Sequence, residues 1–411
     1  PYDEYIASVE TPDKYTVVIH CQPGKIGWVH EVAGDYLKLL PREVIEEYGN
    51  MSDWKNSCGT GPFILVDHVE ESSVLLERNP DYWMKDVFHP ENQLPYVDGI
   101  KVLVIPDLST RIAALRTGKI DQLRGLDWEE AADIRKTNPE LEYIKYPATS
   151  AQALWMRVDK PELPTYDLRV RQALSMAIDR QLMADTLFGG EAELMSFPVC
   201  NMVELKHMYT PLEELPESTR ELFGYNPDRA KQLLAEAGYP EGFKCEAMTY
   251  AGAAYVDALS VIKDYFSKIG VDLEIVVKES GAYTGMLYTQ RYPDMVWTGA
   301  GGSIPEGYIY LQPKSRLNFS QVDDPTINEA FVGISENYFD YYERGRYMKE
   351  ITPYILEQCL NVQIPAAPYY TFWYPWIRGF YGENSVGYIN DLNWITYVWL
   401  DQDLKKEMTG R

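Results

Sequence analysis

Residues 167–190 read DLRVRQALSMAIDRQLMADTLFGG. Val170, Ala173, Leu174, Ala177, Ile178, Leu182 and Met183 recur at helical spacing and build one apolar stripe. Asp167 can accept from the orphan N–H groups of a first turn, and Gly189 and Gly190 supply a stop. The stretch is expected to be one amphipathic helix with both ends marked. Before it the pattern is short strands and connectors; after it helix and strand alternate. Alternation on both sides predicts α/β architecture with mixed sheets. The helix then stands as a gate between two lobes. In open α/β sheets, ligands bind at the carboxyl ends of the strands.

A chain of 411 residues exceeds one ordinary core, so about two or three domains are expected. The net charge of -24 repels phosphate backbones and anionic lipid, which argues against nucleic acid as a partner. It favours solubility, and secondarily cationic solutes. Cys21, Cys58, Cys200, Cys245 and Cys359 show no CxxC spacing, and His20, His30, His68, His89 and His207 lie far apart without HxxxH or HExxH. A metal site and a His-based triad are therefore unsupported, and no cofactor is expected. No P-loop or GxGxxG occurs, and no apolar run reaches the ~18 residues of a membrane span. The chain begins Pro1-Tyr2-Asp3-Glu4, without an initiator Met or a signal peptide, and an N-terminal portion is expected to precede it.

Strands are expected at 15–20, 63–66, 74–78, 100–105, 141–146 and 154–158. Helices are expected near 109–117, with Ser109 as cap, and at 127–136, 229–237, 255–269, 282–288, 325–336 and 339–358. Residues 298–308 read as a Gly-rich loop, and the tail 362–411 as aromatic-rich and strand-like.

Several blocks resemble one family. Gly59-Thr60-Gly61-Pro62-Phe63 is followed by Leu76-Glu77-Arg78-Asn79-Pro80-Asp81-Tyr82-Trp83, then by Ala114-Leu115-Arg116-Thr117-Gly118-Lys119-Ile120-Asp121. Arg169-Val170-Arg171-Gln172-Ala173-Leu174 and Tyr225-Asn226-Pro227-Asp228-Arg229-Ala230-Lys231 come next, in family order. Together they resemble the extracellular solute-binding proteins of family 5, the peptide, dipeptide and nickel binders of ABC importers. The resemblance implies a two-lobed clamp of the type II periplasmic-binding kind, with a small accessory domain on lobe I. Residues 1–58 would be the remnant of that accessory domain, 59–157 lobe I, 158–380 lobe II, and 381–411 the return to lobe I. Hinges are expected near 155–160 and 376–382. Implied partners are a small solute of the oligopeptide or oligosaccharide class, an ABC permease and an ATPase subunit. The chain is expected to act as a monomer outside the cytoplasm, in the periplasm or as a lipoprotein at the cell surface.

By the same resemblance, Asp294 to Glu306 matches the main ligand loop. Peptide binders carry an aspartate there for the ligand's ammonium; by spacing that position is Ser303, whose hydroxyl cannot give a charge-assisted bond. Glu306 is the candidate replacement. Gly299 and Gly301 permit close backbone approach, or simply a tight turn. Trp297, Tyr283, Tyr370 and Trp373 are candidates for stacking on a solute, against the plainer reading of core packing. Asp127, Trp128 and Thr149 follow strands on lobe I and complete the expected site, although Asp127 also reads as a helix cap. No catalytic residue is assigned. The rival readings are a secreted glycosidase using two carboxylates and a ligand sensor for a chemoreceptor. Glu70/Glu71 and Glu129/Glu130 read as solvated faces rather than a catalytic pair.

Overall fold

The computed structural model describes residues 5–22, 40–147, 150–301, 310–383 and 393–410. The chain divides into two compact units, 1–27 with 147–368 and 28–146 with 369–411. In chain order, β1 (Ile6–Asp13) and β2 (Thr16–Cys21) form an antiparallel hairpin and α1 (Arg42–Tyr48) follows. Strands β3 (Phe63–Val69), β4 (Ser73–Arg78) and β5 (Gly99–Leu103) make an antiparallel sheet. Next come α2 (Leu108–Arg116), β6 (Gln122–Leu126), α3 (Trp128–Thr137), β7 (Glu142–Tyr146) and β8 (Ser150–Met156). Helices α4 (Leu168–Met176), α5 (Arg180–Leu187), α6 (Glu217–Glu221) and α7 (Pro227–Glu236) precede β9 (Lys244–Tyr250). Then α8 (Ala253–Ser267), β10 (Asp272–Lys278), α9 (Ser280–Tyr288) and β11 (Met295–Gly301) alternate. The chain closes with α10 (Pro325–Glu336), α11 (Tyr341–Glu357), β12 (Asn361–Gln363), β13 (Tyr369–Trp373), β14 (Ile377–Arg378), β15 (Trp399–Leu400) and α12 (Gln402–Thr409).

The first unit is built on a five-stranded mixed sheet in the order β10-β9-β11-β8-β12. Strands β10, β9 and β11 run parallel, and β8 runs antiparallel to both β11 and β12. Helices cover both faces, so the central strands read as near-continuous apolar runs. Leu154, Met156, Met295 and Trp297 pack on one side against Val170, Leu174, Leu234 and Phe266. Ala153, Trp155, Val296 and Ala300 pack on the other against Phe331, Met348 and Ile355. The second unit holds the sheet β3-β4-β5 and the antiparallel sheet β6-β13-β7. Its core gathers Leu115, Leu126, Ile134, Tyr370, Phe372 and Trp376.

The α/β class with mixed sheets holds, but the unit boundaries differ from those expected. The chain passes between units at 146–147 and 368–369, not near 155–160 and 376–382. The reason is strand pairing. β8 is hydrogen-bonded on both sides inside the first unit's sheet, and β13 lies between β6 and β7 in the second. Residues 1–27 group with the first unit, which separates them from the rest of the expected 1–58 segment.

The stretch 167–190 is two helices rather than one. Asp167 caps α4 by accepting from Arg169 N, and Asp179 caps α5 by accepting from Leu182 N. A second Asx cap inside the apolar repeat gives the backbone a competing partner, and the helix restarts there. Leu182, counted in the apolar stripe, is 51% exposed, whereas Arg171 and Arg180 are buried rather than surface residues. Gly189 and Gly190 both take positive φ, as a stop requires. Elsewhere Asp107, not Ser109, caps α2 by accepting from Thr110 N. The tail holds a helix, α12, where strand was expected; its Leu404 and Met408 pack on the second unit's core.

Candidate solute-binding surface

In the first unit, β9, β10 and β11 all end at one edge of the sheet, and antiparallel β8 begins there. The carboxyl ends of parallel strands leave loops free to meet a ligand. Gly299 and Gly301 fall on this edge. They are not in a loop: β11 runs through both, pairing Gly299 with Gln152 and Gly301 with Ser150. A Cβ at Gly299 would stand 3.1 Å from Ser150 Oγ, and one at Gly301 would stand 3.1 Å from Tyr310 Oη. The glycines therefore leave room for hydroxyl groups beside the strand. Ser303, Glu306 and Thr149 lie outside the described residues.

Strand alternation puts Trp297 and Gly299 on the face of β11 that also carries Gln152 on β8, and puts Thr249 on the same side of β9 as core residues Cys245 and Ala247. Trp297 Nε1, Gln152 Oε1 and Thr249 Oγ1 are all buried without a hydrogen-bond partner among the described residues. Orphaned polar atoms are uncommon in native interiors and call for a water or a ligand. The three stand on the adjacent strands β9, β11 and β8, beneath an apolar surround.

A second feature is a group of tyrosines. Tyr250 ends β9, with its ring 5.5 Å from Tyr255 and 6.0 Å from Tyr283. Tyr255 and Tyr288 are exposed, and the Arg316 guanidinium stands 5.8 Å from the Tyr288 ring. Such rings offer flat apolar faces with polar tips. Tyr250 and Tyr255 were not singled out from sequence. The available signal was the end of an alternating strand at Tyr250, the position where ligand loops begin.

The other expected residues are placed differently. The Trp297 ring is fully buried in the first unit's core, so it has no face open for stacking on a solute. Its remaining polar feature is the unpaired N–H. Tyr283 is buried, and its hydroxyl donates to Trp297 O at 2.8 Å. Burial pushes the Tyr283 phenol above its ordinary value. Tyr370 and Trp373 belong to the second unit, where both are buried in β13. Trp373 packs against Phe380 with ring centroids 4.8 Å apart. Asp127 caps α3 in a capping box, accepting from Glu129 N and Glu130 N while Asp127 N donates to the Glu130 carboxylate. Trp128 packs on the second unit's core. Aromatic side chains at strand centres are drawn inward by their area, and that overrides the stacking role expected from sequence. Among the described residues no group of three His, Cys, Asp or Glu side chains is arranged to hold a metal ion, and no helix is long and apolar enough to cross a membrane.

The family model for bacterial extracellular solute-binding proteins, family 5, matches residues 1–318. The glutathione-binding protein GsiB of Salmonella typhimurium is 26% identical over 79% of this chain and 60% of its own length. Heme-binding protein A of Haemophilus influenzae is 24% identical over 60% of this chain and 42% of its own length. The chain thus spans about 60% of the length of the first relatives it matches. The periplasmic binding protein DppA of Helicobacter pylori, in complex with the peptide STSA, shares the fold: TM-score 0.76, 24% identity, covering 97% of this chain and 75% of that one. With more than half its length matched by that model, the chain belongs to the bacterial extracellular solute-binding proteins of family 5.

Proposed function

We propose that this chain is the substrate-binding component of an ABC importer. It captures an extracytoplasmic solute of the oligopeptide class and delivers it to a membrane permease, with ATP hydrolysis left to a separate subunit. The match of residues 1–318 to the family carries this reading. Relatives named for glutathione and heme, and a fold shared with a protein holding the peptide STSA, favour a peptide-like solute over an oligosaccharide. The protein works as a monomer, in the periplasm or tethered at the cell surface, and it turns nothing over.

The solute is proposed to meet the carboxyl edge of the first unit's sheet. Gly299 and Gly301 let the Ser150 and Tyr310 hydroxyls lie against the strand, Tyr250 and Tyr255 offer ring faces, and Ser303 and Glu306 supply polar side chains from the segment after β11. Trp297, Gln152 and Thr249 support the reading through their unpaired polar atoms.

Calorimetric titration of the full-length protein with glutathione, tri- to pentapeptides and maltotriose tests this. Saturable binding of a peptide that is recovered intact is the expected result. Binding of the sugar alone would overturn the peptide class, and a cleaved product would overturn the transport reading. Ser303→Asp restores a carboxylate where peptide binders carry one. It is expected to tighten binding of ligands with a free α-amino group about tenfold, roughly 1.4 kcal/mol.

A further inference from the structure

Arg157, Arg171 and Arg180 are the buried arginines of the described residues, and they are neutralised in different ways. Arg157 pairs with Asp159 at 2.6 Å. Arg171 donates to Gln358 O at 2.8 Å and to Thr165 O and Tyr166 O at 2.9 Å, with the Asp167 carboxylate acting on it from nearby. Arg180 is 1% exposed and has no carboxylate in ion-pair contact among the described residues. It donates to Gln363 O at 3.0 Å, Ser175 O at 2.9 Å and Ser175 Oγ at 3.1 Å, and lies 5.2 Å from the centre of the Phe223 ring. A guanidinium has five N–H donors and these bonds engage three.

Arg180 also borders a cavity of about 20 Å³, which Arg157 and Arg171 do not. That is room enough for a water or a small ion. Ser175, Asn361, Gln363 and the Cys359 thiol line it together with the Phe197 and Phe223 rings. The Cys359 thiol cannot serve as counter-charge. Burial holds it protonated, pushed up to about 12, and its Sγ donates to Leu356 O at 3.4 Å. Next to the lining residue Phe197 in sequence, the buried Ser196 hydroxyl has no partner among the described residues, while Ser196 N donates to the Gln363 side chain at 2.9 Å. The site therefore offers spare donors, a full positive charge and space for one small particle. A buried charge without a counter-charge is strongly unfavourable.

We propose that this cavity is a binding site for a halide-sized monovalent anion, chloride under ordinary conditions, which acts as the counter-ion of Arg180. A neutral water would fill the space but leave the charge uncompensated. The anion would lock the turn between α4 and α5 to the end of β12, since Arg180 already bonds Ser175 O and Gln363 O.

Crystals of the full-length protein grown in sodium bromide test the proposal by anomalous scattering. The expected result is a bromide peak enclosed by Arg180, Ser175 and Gln363. Density refining as water, with no anomalous signal at saturating bromide, would overturn it. A second measurement compares melting temperature in chloride and in gluconate at equal ionic strength. Chloride is expected to raise it by a few degrees in a concentration-dependent way, as a ligand of the native state does. In Arg180→Gln that dependence should disappear; its persistence would place the chloride effect elsewhere and overturn the assignment. The bromide experiment stands on the unaltered protein if Arg180→Gln does not fold.

Discussion

The Tyr283 hydroxyl donates to the backbone carbonyl of Trp297 at 2.8 Å, tying α9 to the middle of β11. Tyr283→Phe removes this bond and leaves Trp297 O without that donor. The expected loss is about 0.5–1.5 kcal/mol, read from the midpoint of urea unfolding with an unchanged slope. A loss of solute affinity at full stability would instead give the phenol a direct role at the ligand.

Trp297 itself is a core residue by placement. Trp297→Ala empties a large volume among Leu154, Met295 and Phe266 and should cost about 3–5 kcal/mol. Trp297→Phe keeps much of the packing. It is the sharper probe, because it removes only the unpaired N–H and part of the ring. Solute affinity within twofold of the original protein is expected if the ring is purely structural. A tenfold loss in a stable variant would assign the N–H to the solute.

Arg157 and Asp159 form a two-bond pair, Nε to Oδ1 at 2.9 Å and Nη2 to Oδ2 at 2.6 Å. Burial pushes the Asp159 carboxyl up, but the hydrogen bonds and charge of Arg157 outweigh it and hold the carboxyl below its ordinary value. A carboxyl lowered in the folded state stabilises fully above its unfolded value and loses that contribution as pH falls through the folded one. The pair therefore protects the fold at neutral pH and fails on the acid side, below about pH 4. Asp159→Asn should cost about 1–3 kcal/mol at pH 7, since the side chain is partly exposed and Arg157 keeps its bonds to Gln290 O and Tyr292 O. Melting temperatures from pH 7 to pH 3 check this. The variant and the original should converge toward the acid end.

Gly242 has φ +78, and a Cβ there would meet Gly270 O at 1.9 Å. Both the dihedral and the backbone contact reject a side chain, and neither neighbour can yield without moving the turn before β9 or the end of α8. Gly242→Ala is expected to lose about 3 kcal/mol or more, measurable by thermal or urea unfolding.

The α/β class was legible because it rests on periodicity. Val170, Leu174 and Ile178 point inward as their spacing predicts, and the helix cap at Asp127 is where the residue type placed it. The break at Asp179 was not legible, because a cap residue inside an apolar repeat reads equally as a surface position. The unit boundaries depend on which strands pair, a long-range fact that local pattern does not hold. β8 and β13 belong to different sheets although both are short and apolar. For the site, only placement can be compared. Gly299 and Gly301 do lie on the sheet edge, but aromatic content alone could not separate buried Tyr370 and Trp373 from exposed Tyr255.

The chain leaves the second unit after Tyr146 and returns to it at Tyr369, and those two residues are paired across adjacent strands with rings 5.5 Å apart. On the other side, Ile364 N donates to Gln152 O at 3.1 Å, so the two ends of the first unit's segment also emerge side by side. Residues 147–368 thus have the topology of a cassette. A short loop could join Tyr146 directly to Tyr369 without stretching either sheet, and the excised segment could be closed on itself or fused elsewhere.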